Sequence, residues 1–241
     1  MKKFFGLSST LLMSASLMAT DCASLPKWSE VKEALIKVRG ESNGGFNLDM
    51  WATLVNRDGE VCVVTFTAGD RGGQWPGSRV ISAQKANTAN AFSLPKLALS
   101  TANLYSAVQP GGSLFGLQES NPVNVAAAYG GNSKNIGSDN DPLVGEKIGG
   151  VNVFGGGLAL YNKQGVIVGG LGVSGDSSCA DHNIAWKLRK LLQLDFVPAG
   201  VSPANNDNII YLKKNEKANG FKHPLCGGTE NKITLDSVSK I

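Results

Sequence analysis

Residues 149–194, GGVNVFGGGLALYNKQGVIVGGLGVSGDSSCADHNIAWKLRKLLQL, constrain the fold more than any other stretch of the chain. Two strand-like runs, 158–161 and 166–173, flank Asn162-Lys163-Gln164-Gly165, a tight connection whose glycine tolerates positive φ. A turn that short forces its two strands to be antiparallel neighbours. After Gly175 come Asp176, Ser177 and Ser178, side chains that cap helix N-termini. Ile184, Leu188, Leu191 and Leu192 then recur at helical spacing, with Lys187, Arg189 and Lys190 mostly off that face and near the end that favours cations.

The rest of the chain repeats this alternation of hairpin and helix. A helix is expected over 25–39, with Trp28, Val31, Leu35 and Val38 on one side. A second hairpin, 50–56 with 60–67, turns through Arg57-Asp58-Gly59, and the mixed apolar faces of its second strand indicate cover on both sides. The loop 68–78 holds Arg71 and Trp75 and reads either as a surface turn anchored by its tryptophan or as a flap over a ligand. A helix over 82–92 presents Ala83, Ala86, Ala89 and Ala91, small enough to sit close to a sheet, and Leu97, Thr101, Leu104 and Tyr105 suggest a further helical side. From 109 to 149 no period holds, so irregular structure is expected around short pieces such as 123–129. Hairpins interleaved with helices give an α+β fold and exclude a doubly wound parallel sheet.

One motif points elsewhere. Gly170-Leu171-Gly172-Val173-Ser174-Gly175 spells G-x-G-x-x-G, with Asp195 at the distance of a ribose-binding acid. A dinucleotide fold needs further strand–helix units after that motif, and the Pro-, Asn- and Lys-rich remainder lacks them. The glycines read better as a strand passing close to a neighbouring backbone or a ligand.

The 241 residues suffice for one domain with extensions, and 42% hydrophobic against 17% charged residues indicates a packed core. The net charge of +4 comes from scattered lysines without interleaved aromatics, which argues against nucleic acid. Lys2 and Lys3 followed by an uncharged apolar run resemble a secretory leader, placed at 1–23, and later residues contain no run long enough for a membrane span. The reading is export to the periplasm or the extracellular space, with Cys22 open to a lipoprotein interpretation. Cys62, inside an apolar strand, reads as a buried small hydrophobe. Cys179 and Cys226 sit in polar, turn-like surroundings without metal-type spacing, so a disulfide is expected between them.

No hydrolytic triad, phosphate loop or H-x-x-x-H pair is present. The remaining metal-ligand candidate is His182, which the start of a helix would keep neutral; its plainer reading is a residue hydrogen-bonded to local backbone.

The run GGVNVFGGGLALYNKQGVIVGGLGVSG with Asp181, together with PGSRVISAQKANTANAF and its Lys85-Ala86-Asn87-Thr88-Ala89, resembles the GlcG/HbpS haem-binding family over about 25–195. The resemblance implies a profilin-like three-layer sandwich, a mostly antiparallel sheet of about five strands flanked by helices. The chain then divides into a leader, a family domain over 24–195 and a C-terminal extension, 196–241, docked on it. The resemblance also implies a small-molecule ligand, haem first, in an exported protein accessory to sensing or uptake; the alternative is an enzyme acting on a small organic acid. The expected partners are that ligand and further copies of the same chain, without nucleic acid. The candidate binding residues are Arg71, Arg79 and Lys85 for ligand carboxylates, Thr88 and Asp181 from the family pattern, Gly156 and Gly157 for exposed backbone N–H groups, and His182 for iron.

Overall fold

The computed structural model describes residues 21–241, so most of the expected leader lies outside it. In chain order the main elements are helix α1 (Trp28–Arg39), strands β1 (Trp51–Asn56) and β2 (Val61–Phe66), helix α2 (Ser78–Phe92), the short helices α3 (Thr101–Leu104) and α4 (Val125–Tyr129), strands β3 (Gly157–Tyr161) and β4 (Ile167–Ser174), and helix α5 (Ser178–Leu191). The four strands form one sheet in the order β2-β1-β4-β3, with every neighbouring pair antiparallel. Among the described residues that is one strand fewer than the resemblance implies. Both hairpins form at the expected turns, and β4 joins them by pairing with β1 from Trp51↔Ser174 to Asn56↔Gly169.

Strand alternation sends side chains to two covered faces. Ala52, Leu54, Leu158, Leu160, Leu171 and Val173 meet α1 and α5 on one side. Trp51, Val55, Val61 and Val64 meet Val80, Ala83 and Ala86 of α2 on the other. The glycine motif belongs to this second face. A Cβ at Gly172 would collide with the Ser82 carbonyl oxygen, and one at Gly170 with that of Ala86. The glycines of β4 therefore let α2 lie directly on the sheet, and the alanines of α2 complete the close approach. Asp195 serves the fold: its Oδ2 accepts the Ser239 backbone N–H at 3.0 Å and hydroxyl at 3.1 Å, holding the end of the chain.

The irregular 109–149 stretch is ordered by long-range bonds. Leu143 and Ile148 enter the α2-side core, and the Val61 N–H donates to the Glu146 carbonyl at 2.9 Å. Residues 196–241 wrap α5, with the Trp186 indole N–H on the Asp236 carbonyl at 2.9 Å.

The cysteine readings are corrected at one position. Cys62 is no free buried thiol: it is bonded to Cys22, with Cα atoms 5.3 Å apart. The Cys22 sulfur is thus committed within the fold, which does not suit the lipoprotein interpretation. Strand β2 passes beside residues 22–24, a contact that no local pattern in either segment announces. Cys179 and Cys226 form the second disulfide.

Candidate functional site

The candidate residues divide into two places. Lys85, Asp181, Gly156, Gly157 and Thr88 gather where α2, the end of β4 and the start of α5 converge. The Lys85 ammonium donates to Asp181 Oδ2 at 2.7 Å and to the Val173 carbonyl at 3.0 Å. Asp181 Oδ1 accepts the Asp176 N–H at 2.9 Å. Gly156, at φ +114°, passes so close that an added Cβ would stand 3.1 Å from Lys85 Nζ. Gly157 donates its N–H to Thr101 Oγ1 at 2.9 Å, and Thr88 Oγ1 accepts the Asn152 N–H at 2.9 Å. Thr101, which belongs to this group, had only a helical-face signal in the sequence.

This group is sealed, with Lys85 1% and Asp181 2% exposed. Burial pushes the Lys85 ammonium below its ordinary range and the Asp181 carboxyl up to about 6, each opposed by the charge of the other. In this conformation the pair joins α2 to α5 and has no solvent path to a substrate.

His182 is also enclosed, at 0% exposed. It is the fifth residue of α5, beyond the first turn, and its Nε2 lies 3.1 Å from Asn208 Oδ1 and accepts the Ile209 N–H at 3.1 Å. Its Nδ1 has no hydrogen-bond partner among the described residues. Burial, rather than the helix dipole, holds the imidazole at about 4.

The sign of the resulting pH effect follows from linkage. The unfolded histidine takes up its proton near 6.5, whereas the folded one does so only near 4, so stability is complete above 6.5 and falls as pH drops through that window. Between pH 7 and 4.5 the wild-type decline should exceed that of His182→Gln by on the order of 2 kcal/mol in urea unfolding. His223, also held near 4 by burial, adds in the same direction, while Asp181, raised to about 6, opposes both. Equal declines in the two proteins would refute the assignment.

Arg71 and Arg79 lie elsewhere, on a cavity of about 430 Å³ whose lining includes Trp51, Pro76, Val80, Tyr129 and Ile136. Arg79 is spent on structure: buried, it forks onto Asp141, with Nε–Oδ2 at 2.9 Å, and donates to the Ala128 carbonyl at 3.1 Å. Asp141, in the irregular stretch, carried no sequence signal for this pairing. Arg71 is exposed and makes no ion pair among the described residues. The 68–78 loop therefore borders a cavity, and Trp75 is 54% exposed rather than an anchor; its carbonyl instead accepts the Trp51 indole N–H at 3.1 Å.

The cavity has the chemistry for a flat, largely apolar anion: Pro76, Tyr129 and Ile136 present accessible apolar surface, and the Arg71 guanidinium is without an ion-pair partner among the described residues. For haem, Arg71 suits a propionate, and the Tyr129 phenol is the lining group of a type that ligates haem iron. His182 is not among the lining residues.

A family model described as haem degrading protein HbpS-like matches residues 34–189. No curated protein matches the chain. Among solved structures, that of Klebsiella pneumoniae protein ORFY is 22% identical, with a TM-score of 0.49 over 76% of this chain and 97% of that one. The crystal structure of a PduOC–haem complex is 23% identical, with a TM-score of 0.46 over 68% of this chain and 89% of that one. A double mutant of HbpS from Streptomyces reticuli is 15% identical, with a TM-score of 0.44 over 79% and 99% of the two chains.

Proposed function

This chain belongs to the HbpS-like family of haem degrading proteins, and on that premise we propose that it binds haem in the cavity bordered by Trp51, Arg71 and Tyr129. The observation that carries the reading is the pairing of a cavity edged by Tyr129, Pro76 and Ile136 with an arginine that has no carboxylate partner among the described residues. Pro76 and Ile136 supply apolar surface for a porphyrin face, Arg71 a charge-assisted bond to a propionate, and Tyr129 the oxygen for the iron.

Haemin added to the folded protein should give a saturable Soret shift. Arg71→Ala should weaken binding about 10–100-fold, the loss of one charge-assisted hydrogen bond worth roughly 1.5–3 kcal/mol. Tyr129→Phe should move the Soret band, whereas His182→Ala should leave it in place. A band lost in His182→Ala, with that protein folded, and unchanged in the other two variants would transfer the iron to the buried histidine. Loss of the band with time, given an electron donor and oxygen, would show that the ring is degraded as well as bound.

The same reading includes export as an accessory to sensing or uptake. Its support is the lysine-led apolar N-terminus and two disulfides, bonds that persist in oxidising compartments. The Cys22–Cys62 bond favours a cut ahead of Cys22 over one after Ala23. Mass spectrometry of the extracytoplasmic fraction should find a chain beginning at Thr20, Asp21 or Cys22; intact Met1 there would overturn this.

A further inference from the structure

We propose that reduction of the Cys179–Cys226 disulfide turns this corner of the molecule into a binding site for a zinc-class divalent cation, with Cys179, Cys226 and His223 as ligands. The site is separate from the Arg71 cavity and does not depend on its occupant.

The geometry is largely assembled in the oxidised chain. One ligand atom from each of the three residues lies within 4.8 Å of the other two. No sequence spacing foretold this, because His223 is brought to Cys179 by the return of the tail: its N–H donates to the Ile210 carbonyl, and its carbonyl accepts the Leu212 N–H. The ring stands against the disulfide, with His223 Nδ1 3.8 Å from Cys179 Sγ. His223 Nδ1 lies 2.7 Å from the Pro224 carbonyl, and because a carbonyl only accepts, Nδ1 carries the proton and Nε2 keeps its lone pair. Nε2 faces the Ser178 hydroxyl at 3.3 Å, and that hydroxyl is 3.4 Å from Cys226 Sγ, so Ser178 or a water stands next to the fourth position.

The sulfurs are placed to become thiolates. Cys226 Sγ accepts the Cys179 backbone N–H at 3.2 Å at the start of α5, where amide donors and the helix dipole favour negative sulfur. Cys226 is half-buried and lines a small cavity of about 120 Å³ with Phe46, Ser177 and Gly227, whereas Cys179 is fully buried, so an external thiol reaches Cys226 first.

The chemistry balances with a dithiol as reductant. Its thiolate attacks Cys226 Sγ, forming a mixed disulfide and releasing Cys179 as a thiolate. The second thiol of the reductant then closes its own disulfide and releases Cys226, a two-electron reduction of the protein bond. The cation takes the two sulfurs as thiolates and any protons they hold pass to solvent, while neutral His223 completes a Cys₂His set of the kind found in zinc sites. The metal would then replace the covalent tie between α5 and the tail.

Co²⁺ serves as the probe, because thiolate ligation gives it a near-ultraviolet charge-transfer band and tetrahedral geometry gives it strong visible bands. The full chain is reduced anaerobically with a phosphine, desalted and titrated. The expected result is one Co²⁺ per chain with both signatures, displaced by Zn²⁺ and absent from the oxidised protein. Cys22→Ser/Cys62→Ser should bind as the wild type does, which separates this site from the other cysteine pair. His223→Ala, shown to be folded in its oxidised form, should bind at least about 10-fold more weakly after reduction, the lower end of what loss of even a supporting partner costs a metal site. A reduced chain with native near-ultraviolet circular dichroism but no more thiolate–cobalt signal than Cys179→Ser/Cys226→Ser would overturn the proposal. So would unchanged affinity in His223→Ala, or a reduced chain that unfolds and is not restored by Co²⁺.

Discussion

Asp207→Ala should destabilise the protein by roughly 3–5 kcal/mol, the cost of leaving one member of a buried ion pair without its partner. Asp207 and Arg189 are both fully buried, and they meet as two parallel bonds, Nη1–Oδ2 at 2.7 Å and Nη2–Oδ1 at 2.8 Å. Arg189 spends one further N–H on the Ala159 carbonyl at 3.0 Å and lies 4.9 Å from the Trp186 ring centroid, while its Nε has no partner among the described residues. Without the carboxylate, a guanidinium remains in a place that water does not reach. The damage should be local first. Asp207 precedes Asn208 and Ile209, which cover His182, so hydrogen exchange at the Ile209 amide should accelerate in the variant before the sheet unfolds. Arg189→Met/Asp207→Leu should recover most of the loss, because paired apolar replacement of a buried ion pair is often neutral. A urea midpoint in Asp207→Ala equal to that of the wild type, with unchanged slope, would show that the pair contributes nothing.

Removing the other long-range tie, in Cys22→Ser/Cys62→Ser, should cost about 4 kcal/mol, from the entropy of a closed loop of this length in the unfolded chain. The two cysteines are 40 positions apart. Their bond holds the entry to α1 against β2, where Leu25 joins the core and the Trp28 indole N–H is shared between the Val64 carbonyl at 3.0 Å and the Gly137 carbonyl at 3.1 Å. The loss should appear as a lower midpoint together with a larger slope against denaturant, because the unfolded chain becomes less compact. A change under about 1 kcal/mol would mean that packing around Leu25 and Trp28 alone secures the segment; that figure is the scale of one ordinary hydrogen bond.

The sequence by itself determined what depends on neighbours along the chain. Both hairpins, Ile184 and Leu188 on the apolar face of α5, and the small residues of α2 were legible, because turn chemistry and helical period act within a few residues, whereas Leu191, expected on the same face, is exposed. The glycines of β4 were legible as a close approach, though not what approaches them. Only the tertiary structure decided which charges share a place. Arg79 and Lys85 belong to one helix, but six residues set them about 120° apart around it and about 9 Å apart along it. One therefore faces Asp141 and the cavity, the other Asp181 and the sealed group. The fate of His182 was likewise decided by the tail: a helix start suggested an available imidazole, and residues 208–209, which carry no pattern that specifies docking, enclosed it. The Cys22–Cys62 bond was hidden for the same reason, since residues 22 and 62 meet only after α1 has packed on the sheet. Contacts of that kind are selected by burial and geometry across the whole fold, and a linear pattern carries no signal of them.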